Sequence, residues 1–254
     1  MNPVLKRLIL LAASVALGFT SLPAAPAEAK KEAPAKRRGL PFTAAIRVGD
    51  THYISGWGSR DPKTGKHPEG FEAQTRQLLV NLRELLQRNG LKLADVVHTH
   101  AYVTYPDRLA DFHRIYAEFF PQRPPALTTM GIPRLPATEV EITFIASHRP
   151  DVVAIQPAGM AARPHASAAI RDGDFLYVSD LAEIGAPVNG SVSEQARQSI
   201  AKLEAVLKAA GFKLSEVVKL ELYLTDLVQT ETVNGVLRSA FARNPPTRTV
   251  VGVR

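Results

Sequence analysis

Hydrophobic positions along the chain change their period several times, and each change marks an element. Positions 44–48 and 52–55 read as two strands joined at Gly49-Asp50, a hairpin-type turn. Over 71–88, Leu78, Leu79, Leu82, Leu85 and Leu86 fall on one face at helical spacing, and Gly90 supplies the left-handed stop. Positions 96–103 alternate as a strand, and 107–119 predict a second helix with Leu109, Phe112, Ile115, Tyr116 and Phe119 facing inward. A rigid Pro124-Pro125 entry leads into a strand over 127–132. A turn over 133–138 then leads to a last strand over 140–146, in which Glu141 lies opposite the apolar face that Val140 and Ile142 share. The order β-β-α-β-α-β-β predicts an α+β layer: a mixed sheet with two helices on one face.

The pattern then repeats. With Gln74 set on Gln195, the two halves align without a gap to Gly131 and Gly252. Gln-x-Arg-Gln, Gly-x-Lys-Leu, Val-Val, Tyr-x-Thr and Pro-Pro recur in register. Upstream, Gly49-Asp50 and Tyr53-Ile54-Ser55-Gly56 match Gly173-Asp174 and Tyr177-Val178-Ser179-Asp180. The second copy predicts strands at 168–170, 175–179, 217–224 and 248–253, with helices at 193–209 and 229–241. So long a period means two homologous domains, 39–149 and 150–254, and not a solenoid. The second copy has no counterpart of 132–147. It lacks its last strand, and an open sheet edge is expected that another chain must cover unless the chain is shortened.

Ahead of the repeats, Lys6 and Arg7 precede an apolar run from Leu8 to Phe19, and Ala27-Glu28-Ala29 has the form of a cleavage site. The run is shorter than the roughly 20 residues a spanning helix needs. Residues 1–29 are therefore expected to be a cleaved signal peptide, the mature protein periplasmic or secreted, with no stable membrane insertion after cleavage. Of the net charge of +7, residues 1–29 carry +1 and the linker 30–38 carries +4, leaving +2 for 39–254. The basic character is thus largely a property of the arm. No basic stripe interleaved with aromatics points to nucleic acid. The absence of cysteine excludes disulfides and thiolate chemistry.

The landmarks G-D-x-x-Y-[IV]-S-G, Q-T-R-Q, G-x-x-L-x-D-V-V, Y-x-E-F-F, P-P-A and R-L-P followed by V-E-I resemble the RidA family. The resemblance covers roughly 40–147, and 153–254 without the last strand. It implies a chorismate-mutase-like fold, assembly as a trimer or pseudo-trimer with clefts between subunits, and no cofactor or metal. It also implies hydrolytic deamination of 2-imino or enamino acids to 2-keto acids and ammonia. In the family an arginine directly after P-A grips the substrate carboxylate, and the V-E-I glutamate handles the water. A guanidinium suits a carboxylate through a bidentate pair, and a carboxylate can move protons between water and leaving ammonia.

On this resemblance the candidate catalytic residues are Arg248 and Glu141, with Arg248, Ser55, Gly56 and Ser179 lining a site for a small carboxylate. The copies depart from the pattern in opposite ways. The first has Glu141 but Leu127 at the arginine position. The second has Arg248 but no V-E-I strand, and Asp180 replaces the glycine, adding negative charge near an anion site. A composite of Arg248 and Glu141 is disfavoured if the family pair comes from adjacent strands of one subunit. Glu141 also reads as a solvent-facing strand carboxylate, Arg248 as an ordinary C-terminal arginine and Arg134 as a loop ion-pair partner. His98 and His100 read as surface residues, and Trp57 as a wall of the cleft. Three functions stay open: an enamine/imine deaminase with degenerate sites, a non-catalytic carboxylate binder, and an oligomeric scaffold or holdase.

Overall fold

The computed structural model describes residues 9–16, 42–181 and 190–254, the first of these by its backbone pairing alone. The cleavage motif at 27–29 and the basic arm at 30–38 lie outside the described residues. In chain order the strands are β1 (Ile9–Ala16), β2 (Ala45–Val48), β3 (Thr51–Trp57), β4 (Val96–Val103), β5 (Ala126–Gly131), β6 (Val140–Ser147), β7 (Val153–Ile155), β8 (Ala169–Asp172), β9 (Phe175–Val178), β10 (Val217–Leu224) and β11 (Thr247–Gly252). The helices are α1 (Phe71–Arg88), α2 (Leu109–Phe119), α3 (Val192–Ala210) and α4 (Thr230–Ala240). The helix expected from 107 starts at Leu109, because 106–108 form a 3₁₀ turn entered at Pro106, whose ring suits a first turn. At the start of α3, Ser191 and Glu194 cap each other, and Gly211 ends the helix at φ 80°.

The first domain has the expected architecture. The first sheet runs β2-β3-β6-β4-β5, with β4 and β5 parallel and the other pairs antiparallel. Its inward residues, among them Ile54, Val96, Ile142 and Phe144, form one core with Leu78, Leu82 and Leu86 of α1 and Phe112, Ile115 and Tyr116 of α2. The second sheet runs β11-β10-β1-β9-β8-β7 over a core shared with α3 and α4. Among the described residues no helix is long and apolar enough to cross a membrane.

The open edge expected of the second sheet is not where the copies differ. In the first sheet β6 is an interior strand between β3 and β4, so the corresponding place in the second sheet, between β9 and β10, is a slot in its middle and not an edge. β1 fills that slot, antiparallel to both neighbours as β6 is. The register agrees residue by residue: Val15 pairs with Val217 where Ala146 pairs with Val96, and the bulge beside Ser14 matches the one beside Ile145. Leu10, opposite Tyr223, stands where Glu141 stands opposite Tyr102. The apolar run expected to act in export is thus, in this structure, the strand that completes the second sheet.

The domains pack head to tail. Val97 and Ala126 of the first domain meet Ile170 and Tyr177 of the second, and Met130 packs with Tyr223 and Val253. Arg254 N–H donates to the Gly131 carbonyl at 2.9 Å. This packing overturns the surface reading of the strand histidines. His98 is buried and stacks on Tyr177 with ring centroids 5.5 Å apart, and His100 Nε2 lies 3.5 Å from Glu221 Oε2. Alternation marks which face of a strand is polar, but not that a second domain covers it.

Candidate functional site

Two clefts follow from the repeat, one at each β strand that succeeds Pro-Pro. At β5 the second domain closes over the strand. Leu127 N–H donates to Ser179 Oγ at 2.9 Å, and Asp180 N–H donates to the Leu127 carbonyl at 3.0 Å. Ser179 Oγ itself donates to the Ser167 carbonyl at 2.6 Å, so this hydroxyl is a fixed part of the joint. The Leu127 side chain sits in the first core with Phe112, Tyr116 and Phe120. Position 127 itself thus offers no guanidinium to a carboxylate.

Asp180 is 2% exposed, and its carboxylate is satisfied from three directions. Arg163 Nη1 approaches Oδ1 at 2.6 Å, while Thr129 N–H and Thr129 Oγ1 donate to Oδ2 at 3.1 and 3.3 Å. His113 Nε2 lies 3.3 Å from Thr129 Oγ1, and the His113 and His165 rings stack at 3.9 Å and 5°. Burial, reinforced by Arg163, lowers the His113 pKa to about 4. Burial, with His113 and Arg163 beside it, lowers that of His165 to about 3, and Asp180 opposes this only partly. Sequence reasoning noted Asp180 as a misplaced charge and missed Arg163, His113 and His165. The available signal was an arginine and a histidine flanking Pro164, but nothing in the pattern showed that they face Thr129.

At β11 the equivalent cleft is open. Arg248 is exposed and donates to Asn234 Oδ1 on α4. A cavity of about 420 Å³ lies here, lined by Leu220, Asn234, Phe241, Pro245 and Arg248 among others, within the size range of small-ligand sites. Asn234 and Phe241 correspond to His113 and Phe120, so this is the cavity that Leu127 and its neighbours fill in the first copy.

Glu141 belongs to neither cleft within one chain. It lies on β6 against Gly56 of β3, where an added Cβ would press on the movable end of the Glu141 side chain. Partial burial raises the Glu141 pKa, as suits a group that must exchange protons. Ser55 Oγ donates to the Thr43 carbonyl at 2.6 Å, reproducing the Ser179–Ser167 arrangement. The expectation that the arginine and glutamate positions share adjacent strands fails, because β4 separates β5 from β6. The residue at the arginine position of the first domain, Leu127, instead meets Ser179-Asp180 of the second. Among the described residues no hydrogen bond or ion pair joins Arg248 to Glu141. Arg134 is exposed and forms no ion pair among those described, and Trp57 packs at the edge of the first core.

Comparison with known proteins agrees with the doubled fold. The family model described as Endoribonuclease L-PSP matches residues 31–148 and again 157–254. A RutC family protein of Sulfurisphaera tokodaii is 38% identical over 109 residues, 42% of this chain and 87% of the relative. The 2-iminobutanoate/2-iminopropanoate deaminase of Salmonella typhimurium is 33% identical over 113 residues, 43% of this chain and 88% of that protein. The crystal structure of RidA from an Antarctic Psychrobacter is 31% identical, with 45% of this chain and 93% of that one covered at a TM-score of 0.42. Two family matches in succession, over two copies of one β-β-α-β-α-β layout, place this chain in the Endoribonuclease L-PSP (RidA) family as a tandem of two family domains.

Proposed function

We propose that the chain is an imine/enamine deaminase whose working site forms between copies, with Arg248 supplied by one copy and Ser55, Gly56 and Glu141 by another. The observation that carries this reading is the joint between its own domains. There the strand after Pro-Pro docks on the Ser-x turn of the following domain, through Leu127 and Ser179. Repeating that contact between molecules sets Arg248 against Ser55-Gly56, beside which Glu141 already lies. The surfaces suit such a contact. Val218 is 45% exposed where its counterpart Val97 is fully buried, and Tyr53 is 50% exposed where Tyr177 is 7% exposed. A head-to-tail contact of this kind makes a homo-oligomer, in rings if the rotation closes.

The chemistry follows from the residue types. Arg248 pairs with the substrate carboxylate and holds the C=N carbon in place. Glu141 takes a proton from water as the water oxygen bonds to that carbon. That proton passes to nitrogen as the C=N π pair moves there, giving a carbinolamine; the hydroxyl proton then passes through Glu141 to nitrogen as the C–N bond breaks, leaving a 2-keto acid and ammonia. The deaminase named among the relatives supports this reaction class.

The test is ammonia release from freshly generated 2-iminopropanoate. Arg248→Ala and Glu141→Gln are each expected to lower the rate by about 10²-fold or more, the scale of general acid–base and positioning losses. Equal mixtures of the two variants, dissociated and reassembled, are expected to recover about a quarter of wild-type activity, because one site in four then draws both intact residues from different copies. No recovery on mixing, with each single variant inactive, overturns the shared site. A wild type no faster than the uncatalysed reaction, but stabilised by 2-keto acids through Arg248, reduces the protein to a carboxylate binder.

A further inference from the structure

We infer that the cleft between the two domains is a carboxylate seat, built from Arg163 and the N–H and hydroxyl of Thr129, which Asp180 fills from within the chain. A planar guanidinium on one oxygen, with a backbone N–H and a hydroxyl on the other, is a donor set suited to a small free carboxylate. The side chain that satisfies it has no counterpart in the first copy, where the same position is Gly56. The donors are contributed across the joint, since Thr129 belongs to the first domain while Arg163 and Asp180 belong to the second. The His113–His165 stack walls the seat beside Thr129.

Without the Asp180 carboxylate, the Thr129 N–H and Arg163 face each other across a buried gap, and leaving such donors unpaired is costly. The negative charge that reads in the sequence as hostile to an anion is therefore the resident anion itself. It closes this cleft to small carboxylates and ties the two domains together. The ligand class of the vacated seat is a short monocarboxylate with the reach of the Asp180 side chain: formate or acetate.

The experiment uses the full chain carrying Arg248→Ala, so that the open cleft contributes nothing, and adds Asp180→Ala. The melting temperature is expected to fall, then to rise with added acetate along the logarithmic dependence of one-site binding. Acetamide, of the same shape but neutral, is expected to have no such effect, and neither is chloride at equal ionic strength. Adding Arg163→Ala is expected to remove the acetate response. If Asp180→Ala does not accumulate as folded protein, refolding yield in acetate against acetamide is read instead. Equal responses to acetate and acetamide, in melting or in yield, overturn the seat. So does an acetate response that survives Arg163→Ala. Because Arg248 is absent throughout, the result is independent of whether the shared deaminase site exists.

Discussion

β5 and β11 are the same strand in two copies of one fold, yet every residue of β5 is buried while most of β11 is exposed. The difference lies in what covers them. The second domain docks over β5, and the cleft beside it has become core and salt bridge: Leu127 enters the apolar cluster, and Asp180 holds Arg163 and Thr129. Among the described residues no such cover lies over β11, and there the arginine and the cavity persist. Equivalent surfaces of the two copies thus form a joint at one position and a candidate site at the other. A joint made within one chain has no need to stay open for a ligand.

The sharpest way to break this comparison is to exchange the two residues that define it. Leu127→Arg places a guanidinium in the first core and is expected to destabilise the chain by about 3–5 kcal/mol, the scale of an uncompensated buried charge. Arg248→Leu is expected to change stability by no more than about 0.5 kcal/mol, as exposed substitutions do. Denaturant unfolding measures both, and equal costs would show that the two strands do not differ in kind.

Acid is expected to act on the closed cleft and spare the open one. His113 and His165 titrate in the fold near pH 4 and 3, against 6.5 when unfolded. The unfolded chain therefore binds more protons between these values. The stability linked to the pair is complete above pH 6.5 and is lost as pH falls through 4 towards 3. The melting temperature should decline over that window, and His113→Asn, the residue of the second copy, should flatten the decline.

β1 gives the next test. Ala12→Pro removes an N–H from the middle of an interior strand and is expected to cost on the order of 1–3 kcal/mol for the groups left unpaired. Amide exchange should rise in β9 and β10 and stay unchanged in β3 and β4. Export with cleavage after Ala29 and insertion of β1 use the same residues, so one molecule cannot do both. Protection of β9 and β10 in material lacking residues 1–29 would show that something else fills the slot.

The smallest expected effect separates the two serines. Ser179→Ala leaves the Leu127 N–H without its acceptor at the buried joint and should cost about 1 kcal/mol. Ser55→Ala should leave the stability of a single chain nearly unchanged and weaken association between copies, as a dilution series read by native mass would show.

Much of the architecture was legible because it rests on local patterns that survive in one dimension. Leucines at helical spacing place α1, Gly90 and Gly211 stop the first helix of each copy, and the gap-free repeat from Gln74 to Gly131 and Gln195 to Gly252 declares two domains. The site was legible only as a set of positions. Arg248, Leu127, Glu141 and Asp180 all stood out by register, but their partners did not. A strand's neighbour in the sheet is set by pairing between distant segments, so β6 lying between β3 and β4 could not be read from its coming last. For the same reason the second sheet was expected to have an open edge, and nothing in the apolar run from Leu8 to Phe19 signalled that residues 9–16 pair with β9 and β10.

Residue types and their order are enough to specify the doubled β-β-α-β-α-β layout and the contrast between Leu127 in one copy and Arg248 in the other. Those features depend on hydrophobic period, turn chemistry and repeat alignment, which are properties of neighbouring residues. Tertiary packing alone decides that Asp180 meets Arg163 and Thr129 and that Glu141 lies against Gly56. It also decides that the arginine position faces the next domain and not the glutamate of its own. Each of these joins groups tens of residues apart, and their meeting depends on how two sheets dock.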